Sequence, residues 1–505
     1  MSACHVWMKV LTILLLATEP IALLIFIGGS FSPGRLLCAY ATFWISLGLS
    51  ITAYRLSPFH PLAEFPGPAV DKVTKLRGLW IASLGHQHRS FKKLHDKYGS
   101  YVRTGPNEIS IIDVAAVTQI LNTGGLDKGR SYESGRHSSI PPTIISLSGE
   151  AHTAKRRVWN RSMTSAALRE YDTLIMNRAS QLVSRLGDQD GRIDLVAWFD
   201  FFTLDLMDSV GDLKPFAMAK TASTIGSHIP WIIPTLHLFP HVGRIIQEFN
   251  DFGRGLAVRR IKQGAVHTKD LWYHLADEAG LEKEKPTLES SAADGIVAIV
   301  AASDTTASTL SSLMWFLMSN PELYQRVQVE LDGVYPEGAD PLDVSQHDQL
   351  VFLSACINET LRLHPPVPSI GTRCVPLNSS GRNIAGRFLP RGTSVYTPPY
   401  SLHRNPDYFF PHPDHFVPDR WLPGSNFEKH ATSAFIPFSL GPANCVGQKL
   451  AKREILVAIS ILLKSFSLRF ADGFDSEAWP GHIQDFFIST RGSLQVNLTR
   501  RHDHV

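Results

Sequence analysis

Two apolar runs precede any amphipathic pattern in the chain. Val10–Gly29 is apolar apart from Glu19, and Leu36–Tyr54 carries no charge. About 20 apolar residues let a helix cross a bilayer. Each run therefore predicts a membrane-spanning helix, with a buried core helix as the alternative. Glu19 and Pro20 make the first the weaker span. Lys9 and Arg55 flank the pair and Arg35 sits in its turn, which suits a hairpin with both ends cytosolic. A cleaved leader fits less well, because a second apolar run follows. Residues 1–55 are thus expected to be an anchor of one or two transmembrane helices.

Pro58, Pro61, Pro66 and Pro68 punctuate the next stretch. Proline removes backbone donors and fixes φ, so a stiff, extended hinge is predicted over residues 56–70. No comparable linker follows, which leaves residues 71–505 as one large domain. Helical periodicity covers Ala166–Leu186, Ala292–Asn320, Pro321–Leu331, Gln349–Leu363 and Gly447–Phe466. Strand patterns are short, at Tyr101–Ile112 and Thr393–Thr397. The fold class is mainly α with a smaller β portion. Ile229–Phe239, apolar and broken by prolines, reads either as core or as a loop resting in a membrane surface.

Charge adds exclusions. Net charge is +3, with no basic run and no zinc-finger spacing, so a nucleic-acid partner is not expected. The five cysteines, Cys4, Cys38, Cys356, Cys374 and Cys445, are scattered and odd in number. That makes neither a disulfide framework nor a zinc site, and suits a reducing compartment. Without a GxGxxG or P-loop signature the chain holds no recognisable hydride donor of its own.

Three stretches depart from plain packing. In Gly295–Met318 bulky apolar flanks enclose Ala301-Ala302-Ser303-Asp304-Thr305-Thr306. Serine and threonine there can bond back to the preceding turn. A carboxylate beside two threonines also offers a proton donor and a hydroxyl relay. Glu359 and Arg362 stand three residues apart on one helical face, ordinarily a weak surface pair. The same spacing recurs at Glu133–Arg136 in loop-like sequence. Downstream, Arg420 follows Phe416 and Pro418, and the three charges can close a buried network. Last comes FSLGPANCVG, Phe438–Gly447, with one cysteine between two glycines ahead of a helical pattern.

In this order (proline-rich hinge, Asp-Thr-Thr helix, ExxR, FxPxR, FxxGxxxCxG) the chain after the hinge resembles the cytochrome P450 superfamily of haem-thiolate monooxygenases. Tyr98–Asp113 and Met207–Leu213 look like its microsomal fungal branch. The resemblance implies the cytochrome P450 fold, with haem as cofactor and Cys445 as the axial ligand to its iron. A helix amino terminus and free loop amides favour such a thiolate. Phe438 would pack beside the cysteine. Gly441 and Gly447 would let the loop turn and let backbone approach the sulfur and ring. Ala301 and Ala302 would open the dioxygen groove, Ala302 where the family often has glycine. Asp304 and Thr305 resemble the family's acid–alcohol pair, and Glu359, Arg362 and Arg420 its structural triad. Ala443 stands where the family usually has an arginine for a haem propionate. His152, Arg156 and Arg373 are then expected to hold the propionates, His152 replacing the tryptophan of the WxxxR pattern.

By the same resemblance, electrons come from NADPH–cytochrome P450 reductase, with Lys449, Lys452, Arg453, Arg157 and Arg161 either a basic docking face or scattered solvated charges. The protein would sit on the endoplasmic reticulum membrane with its catalytic domain facing the cytosol. Ile296–Ala302, Val367–Thr372 and Phe486–Ile488 would line the substrate site, and their apolar character suits a lipophilic, terpenoid-like secondary metabolite. Two other classes stay open: a haem-thiolate isomerase or lyase acting without dioxygen, against which Asp304-Thr305 argues, and a non-catalytic haem-binding membrane protein.

Overall fold

The computed structural model describes residues 3–26, 32–133, 140–205, 269–427 and 429–501, with isolated positions between 228 and 264. Ile229–Phe239 and Met207–Leu213 lie outside the described residues, as does Arg136.

Helix α1 (Ala3–Phe26) contains Pro20, and α2 (Pro33–Leu56) starts where Ser32 caps it by accepting the Arg35 N–H. The two helices touch, and the Tyr40 hydroxyl donates to the Ala17 carbonyl. α2 is long and apolar enough to cross a membrane and buries no residue against the body.

The proline-rich stretch departs from the expected extended spacer. Successive turns run from Ser57 to Phe65, and Leu62 and Phe65 are fully buried in the core around the first sheet. Arg55, at the end of α2, donates to the Val73 carbonyl. The buried Arg103 side chain donates to the Arg55 carbonyl at 3.1 Å, and its Nη2 lies 3.1 Å from His60 Nε2. The prolines set the turns; the two apolar side chains between them pull the stretch onto the body.

In the body, α3 (Gln87–Tyr98) leads into strands β1 (Tyr101–Gly105) and β2 (Glu108–Ile111). Strand β3 (Asp127–Lys128), helices α4 (Gly149–Arg161) and α5 (Ser165–Gly187), strand β4 (Arg192–Asp194) and helix α6 (Leu195–Asp205) follow. Then come α7 (Leu288–Ser319), α8 (Pro321–Val334) and α9 (Val351–Leu363). Strands β5 (Arg373–Cys374) and β6 (Ser394–Tyr396) complete a five-stranded sheet in the order β1-β2-β6-β5-β3. Helix α10 (Gln448–Ser465) is followed by β7 (Phe466–Phe470), the hairpin β8 (Gln484–Phe486)–β9 (Ile488–Thr490), and β10 (Gln495–Arg500), which pairs with β7 and β4.

α7 is the axis of the body. Thr287 caps it by accepting the Ser290 N–H, and Leu310, Leu313, Met314 and Leu317 are fully buried against its neighbours. It too has the length and composition of a membrane span, but most of it is enclosed by α5, α6, α9 and α10. Burial of this kind is worth about 1.5–3 kcal/mol for each large aliphatic side chain. The five helices expected from periodicity are present within a few residues at each end, since a 3.6-residue apolar stripe is a local property of sequence.

Candidate active site

The loop before α10 is built by close contacts. Gly441 has φ +69, and a Cβ there would sit 2.4 Å from the Leu121 carbonyl oxygen. Only glycine meets both demands. Cys445 N–H donates to the Phe438 carbonyl at 2.8 Å, and Asn444 N–H to that of Gly441 at 3.1 Å. Gly447 has φ −84, and a Cβ there would meet no protein atom within 4 Å.

The Cys445 thiol is reachable from solvent although protein surrounds it on most sides. Burial pushes it up, while the Gly447 and Gln448 amides and the Arg156 charge pull it back toward the thiolate. The other described cysteines lack this setting. Cys356 is fully enclosed in α9 and pushed far up by burial, Cys374 lies in β5, and Cys38 is on α2.

On α7, Ala301 is exposed and Ala302 half-buried. Thr305 Oγ1 donates to the Ala301 carbonyl at 2.7 Å, and Ser303 Oγ to that of Ile299 at 2.7 Å. These back-bonds loosen the helix where small side chains leave its backbone accessible. Sequence reasoning missed Arg491, which donates to the Asp304 carbonyl at 3.2 Å and pairs with Asp200. It also missed Glu454 of α10, a buried carboxyl accepting from Thr306 Oγ1 at 3.3 Å.

Glu359, Arg362 and Arg420 have fully buried side chains. Arg362 forks onto Glu359 with two 2.8 Å bonds, and Arg420 Nε reaches Glu359 Oε1 at 3.2 Å. Val417 N–H and Trp421 Nε1 donate to the same carboxylate at 2.8 and 2.9 Å. Burial would raise the Glu359 carboxyl, but the Arg362 bonds and both arginine charges hold it below the ordinary range. His403 lies 3.2 Å from the Arg362 carbonyl and accepts the Ile436 N–H at 2.9 Å. The charged cluster thereby props the segment that enters the cysteine loop.

Residues 66–479 match the family model of cytochrome P450. The chain belongs to the cytochrome P450 family. It is 33% identical to cytochrome P450 monooxygenase orf5 of Eupenicillium brefeldianum, over 91% of this chain and 95% of that one. It is 30% identical to tryprostatin B 6-hydroxylase of Aspergillus fumigatus, over 92% and 85%. Averantin hydroxylase of Dothistroma septosporum is 28% identical, over 94% of both chains. This P450 is a monooxygenase with fungal secondary-metabolite relatives, and its family uses haem on a cysteine thiolate.

The residues present fit that group. Lys128 of β3 and Arg373 of β5 are cross-strand partners, so their side chains leave the sheet on one face. Lys128 Nζ donates to the Ile144 carbonyl at 2.7 Å, while Arg373 is buried and its Nε has no hydrogen-bond partner among the described residues. Burial and the charges of Arg373 and Arg156 lower Lys128 to about 7. Burial and the charges of Lys128, Arg156 and Arg373 hold His152 near 4. Four basic residues crowded this way suit the two carboxylates of haem. Lys128 escaped sequence reading because a two-residue strand has no periodicity to find.

Arg156, which the resemblance assigns to a propionate, also holds the cysteine loop. It donates to the Asn444 carbonyl, to Asn444 Oδ1 at 2.7 Å and to the Pro442 carbonyl at 3.4 Å, clasping the cysteine loop around Ala443. The expected basic face is partly neutralised. Arg157 and Arg161 both pair with Glu282 at 2.8 Å, and Arg453 with Asp172 at 2.7 Å. Lys449 is exposed, and Lys452 lies 6.0 Å from the Phe438 ring centroid.

Around the expected substrate segments, polar groups are satisfied internally. Ser131 Oγ and Thr372 Oγ1 lie 2.9 Å apart, and Ser369 donates to Asp485. Tyr132 meets Phe487 edge to face at 6.0 Å.

Proposed function

We propose that this P450 holds haem iron on the Cys445 thiolate and inserts one oxygen atom of dioxygen into a lipophilic small molecule. The substrate is a terpenoid-like secondary metabolite, and NADPH–cytochrome P450 reductase supplies the electrons. The amino-terminal helices tether the enzyme to the endoplasmic reticulum with the body in the cytosol. The observation that carries this reading is the accessible Cys445 thiol at the start of α10, facing two backbone amides.

Those amides and Arg156 favour the ionised sulfur, the form that ligates iron. Haem bound to a thiolate supplies oxygen activation. Lys128, His152, Arg156 and Arg373 would hold its carboxylates in place of the arginine that Ala443 lacks, and Arg156 also steadies the loop. Asp304 gives a proton to the Thr305 hydroxyl, which passes it on beside Ala301. The apolar wall limits water, and the Glu359 cluster keeps the cysteine loop in register. Relatives named as hydroxylases of tryprostatin B and averantin support hydroxylation of a secondary metabolite.

The test is co-expression with an NADPH-dependent reductase and mass analysis of a lipophilic metabolite pool. The expected result is NADPH-dependent gain of one oxygen atom. Rearranged product without NADPH or dioxygen would instead establish the isomerase reading.

A further inference from the structure

We propose that Arg491 is a positioning residue: braced on Asp200 of α6, its guanidinium draws the Asp304 carbonyl outward and sets the turn at which α7 opens. The role rests on the monooxygenase reading, in which Ala301 and Thr305 border the groove for dioxygen.

Carbonyls in the middle of α7 take second donors besides the helix amides. Ser303, Thr305, Thr309 and Ser311 donate through their hydroxyls to the carbonyls of Ile299, Ala301, Thr305 and Ala307, at 2.7, 2.7, 2.9 and 2.7 Å. Each of these donors stands four residues further along α7 itself. It moves with the helix, so it loosens the backbone without choosing a direction. The Asp304 carbonyl instead takes its donor from outside the helix, Arg491 Nη1 at 3.2 Å. A bond from a charged donor is roughly twice as strong as a neutral one. A helix carbonyl tilted toward an outside partner lengthens its own bond to the amide one turn on. Here that amide belongs to Ser308.

The brace is firm. Arg491 directly follows β9, and its side chain is only 5% exposed. Its Nε is buried with no hydrogen-bond partner among the described residues, so the two Nη bonds decide how the fork is aimed. The carbonyl of the next residue, Gly492, accepts from Nε1 of the fully buried Trp479 at 3.0 Å. Leu494 N–H donates to Asp194 Oδ1 at 2.9 Å, and Leu195 N–H donates back to the Leu494 carbonyl at 2.9 Å. Asp194 Oδ1 also accepts the Val196 N–H at 3.1 Å, in the first turn of α6. The segment carrying Arg491 and the helix carrying Asp200 are thus one unit. The loosened middle of α7 is the partner that yields. Because the β8–β9 hairpin also carries Phe486–Ile488, one side chain ties the expected substrate segment to α7 at the turn that opens.

The test is amide-resolved hydrogen exchange on the haem-loaded enzyme, beside turnover with reductase. Arg491→Met removes the outside donor, so α7 should close: the Ser308 amide should exchange several-fold more slowly than in wild type. The reduced carbon monoxide band should stay in place while the hydrogen peroxide released per NADPH rises several-fold. Arg491→Lys keeps a charged donor and should recover part of both effects. A merely structural arginine predicts the opposite at Ser308, faster exchange, with an unchanged share of peroxide. If Arg491→Met fails to fold, Asp200→Asn keeps the guanidinium but weakens its brace, and should slow Ser308 exchange in the same direction. Unchanged or faster exchange at Ser308 in whichever of these variants folds would overturn the proposal. Absence of NADPH-dependent oxidation in wild type would overturn the monooxygenase reading alone, because the exchange result does not depend on turnover.

Discussion

Lys128 and Arg373 face each other across paired strands, two cations on one side of the sheet. Like charges directly opposite are destabilising, and burial sharpens the conflict. Burial and the charges of Arg373 and Arg156 lower Lys128 from 10.5 to about 7. A base with a depressed folded value binds fewer protons folded than unfolded, so stability should rise with pH between about 7 and 10.5. Haem carboxylates should restore the charge. Loading haem at pH 8 is therefore expected to take up a proton, measured by calorimetry in buffers of different ionisation enthalpy. Lys128→Met should abolish that uptake and weaken haem retention several-fold; unchanged uptake in the variant removes Lys128 from the cradle.

Cys445→Ala should eliminate the red-shifted Soret band of the reduced carbon monoxide complex. Cys356→Ala should leave the band in place, because that thiol is sealed inside α9. The reverse pattern would be incompatible with Cys445 as iron ligand.

Glu359→Gln should be severe. It leaves Arg362 and Arg420 buried without their counter-charge, and breaking such a pair costs about 3–5 kcal/mol. Chemical denaturation should show a loss of that size together with poor haem incorporation. A loss below about 1 kcal/mol would mean the cluster is not holding the body together.

Thr305→Ala should still bind substrate, read as a spin-state change, while diverting electrons to hydrogen peroxide. Thr305→Ser should restore much of the coupling. Full coupling in Thr305→Ala would remove the hydroxyl from proton delivery.

Glu454 gives a pH test. Burial raises its carboxyl from 4.5 to about 8, opposed by the Thr306 hydroxyl. The folded state then holds the proton over a range where the unfolded state has lost it. Stability from this group is complete below about 4.5 and is lost as pH rises toward 8, by up to about 1.4 kcal/mol per pH unit. Glu454→Gln should flatten that decline in melting experiments between pH 5 and 8, and an unaltered slope would show the carboxyl to be ionised.

The cysteine loop, the α7 motif and the Glu359–Arg362 pair were legible because their residue types recur at short, fixed spacings. What escaped depends on distant partners. Glu282 and Asp172 neutralise arginines that read as a free basic face, and nothing near Arg157 or Arg453 in sequence announces them. Lys128 acquires its meaning only through pairing with a strand 245 positions later. The proline-rich stretch escapes for the opposite reason: four prolines suggest an extended spacer, and the burial of Leu62 and Phe65 decides how the stretch lies.

Ala443 has a consequence for assembly. On the proposed reading the grip on the cofactor's carboxylates would be spread over β3, α4 and β5 rather than placed on the cysteine loop. A chain that has not yet brought residue 128 beside residue 373 offers a thiol but no cradle. Cofactor capture would then act as a late inspection of long-range folding, retaining haem only in molecules whose distant halves have already met.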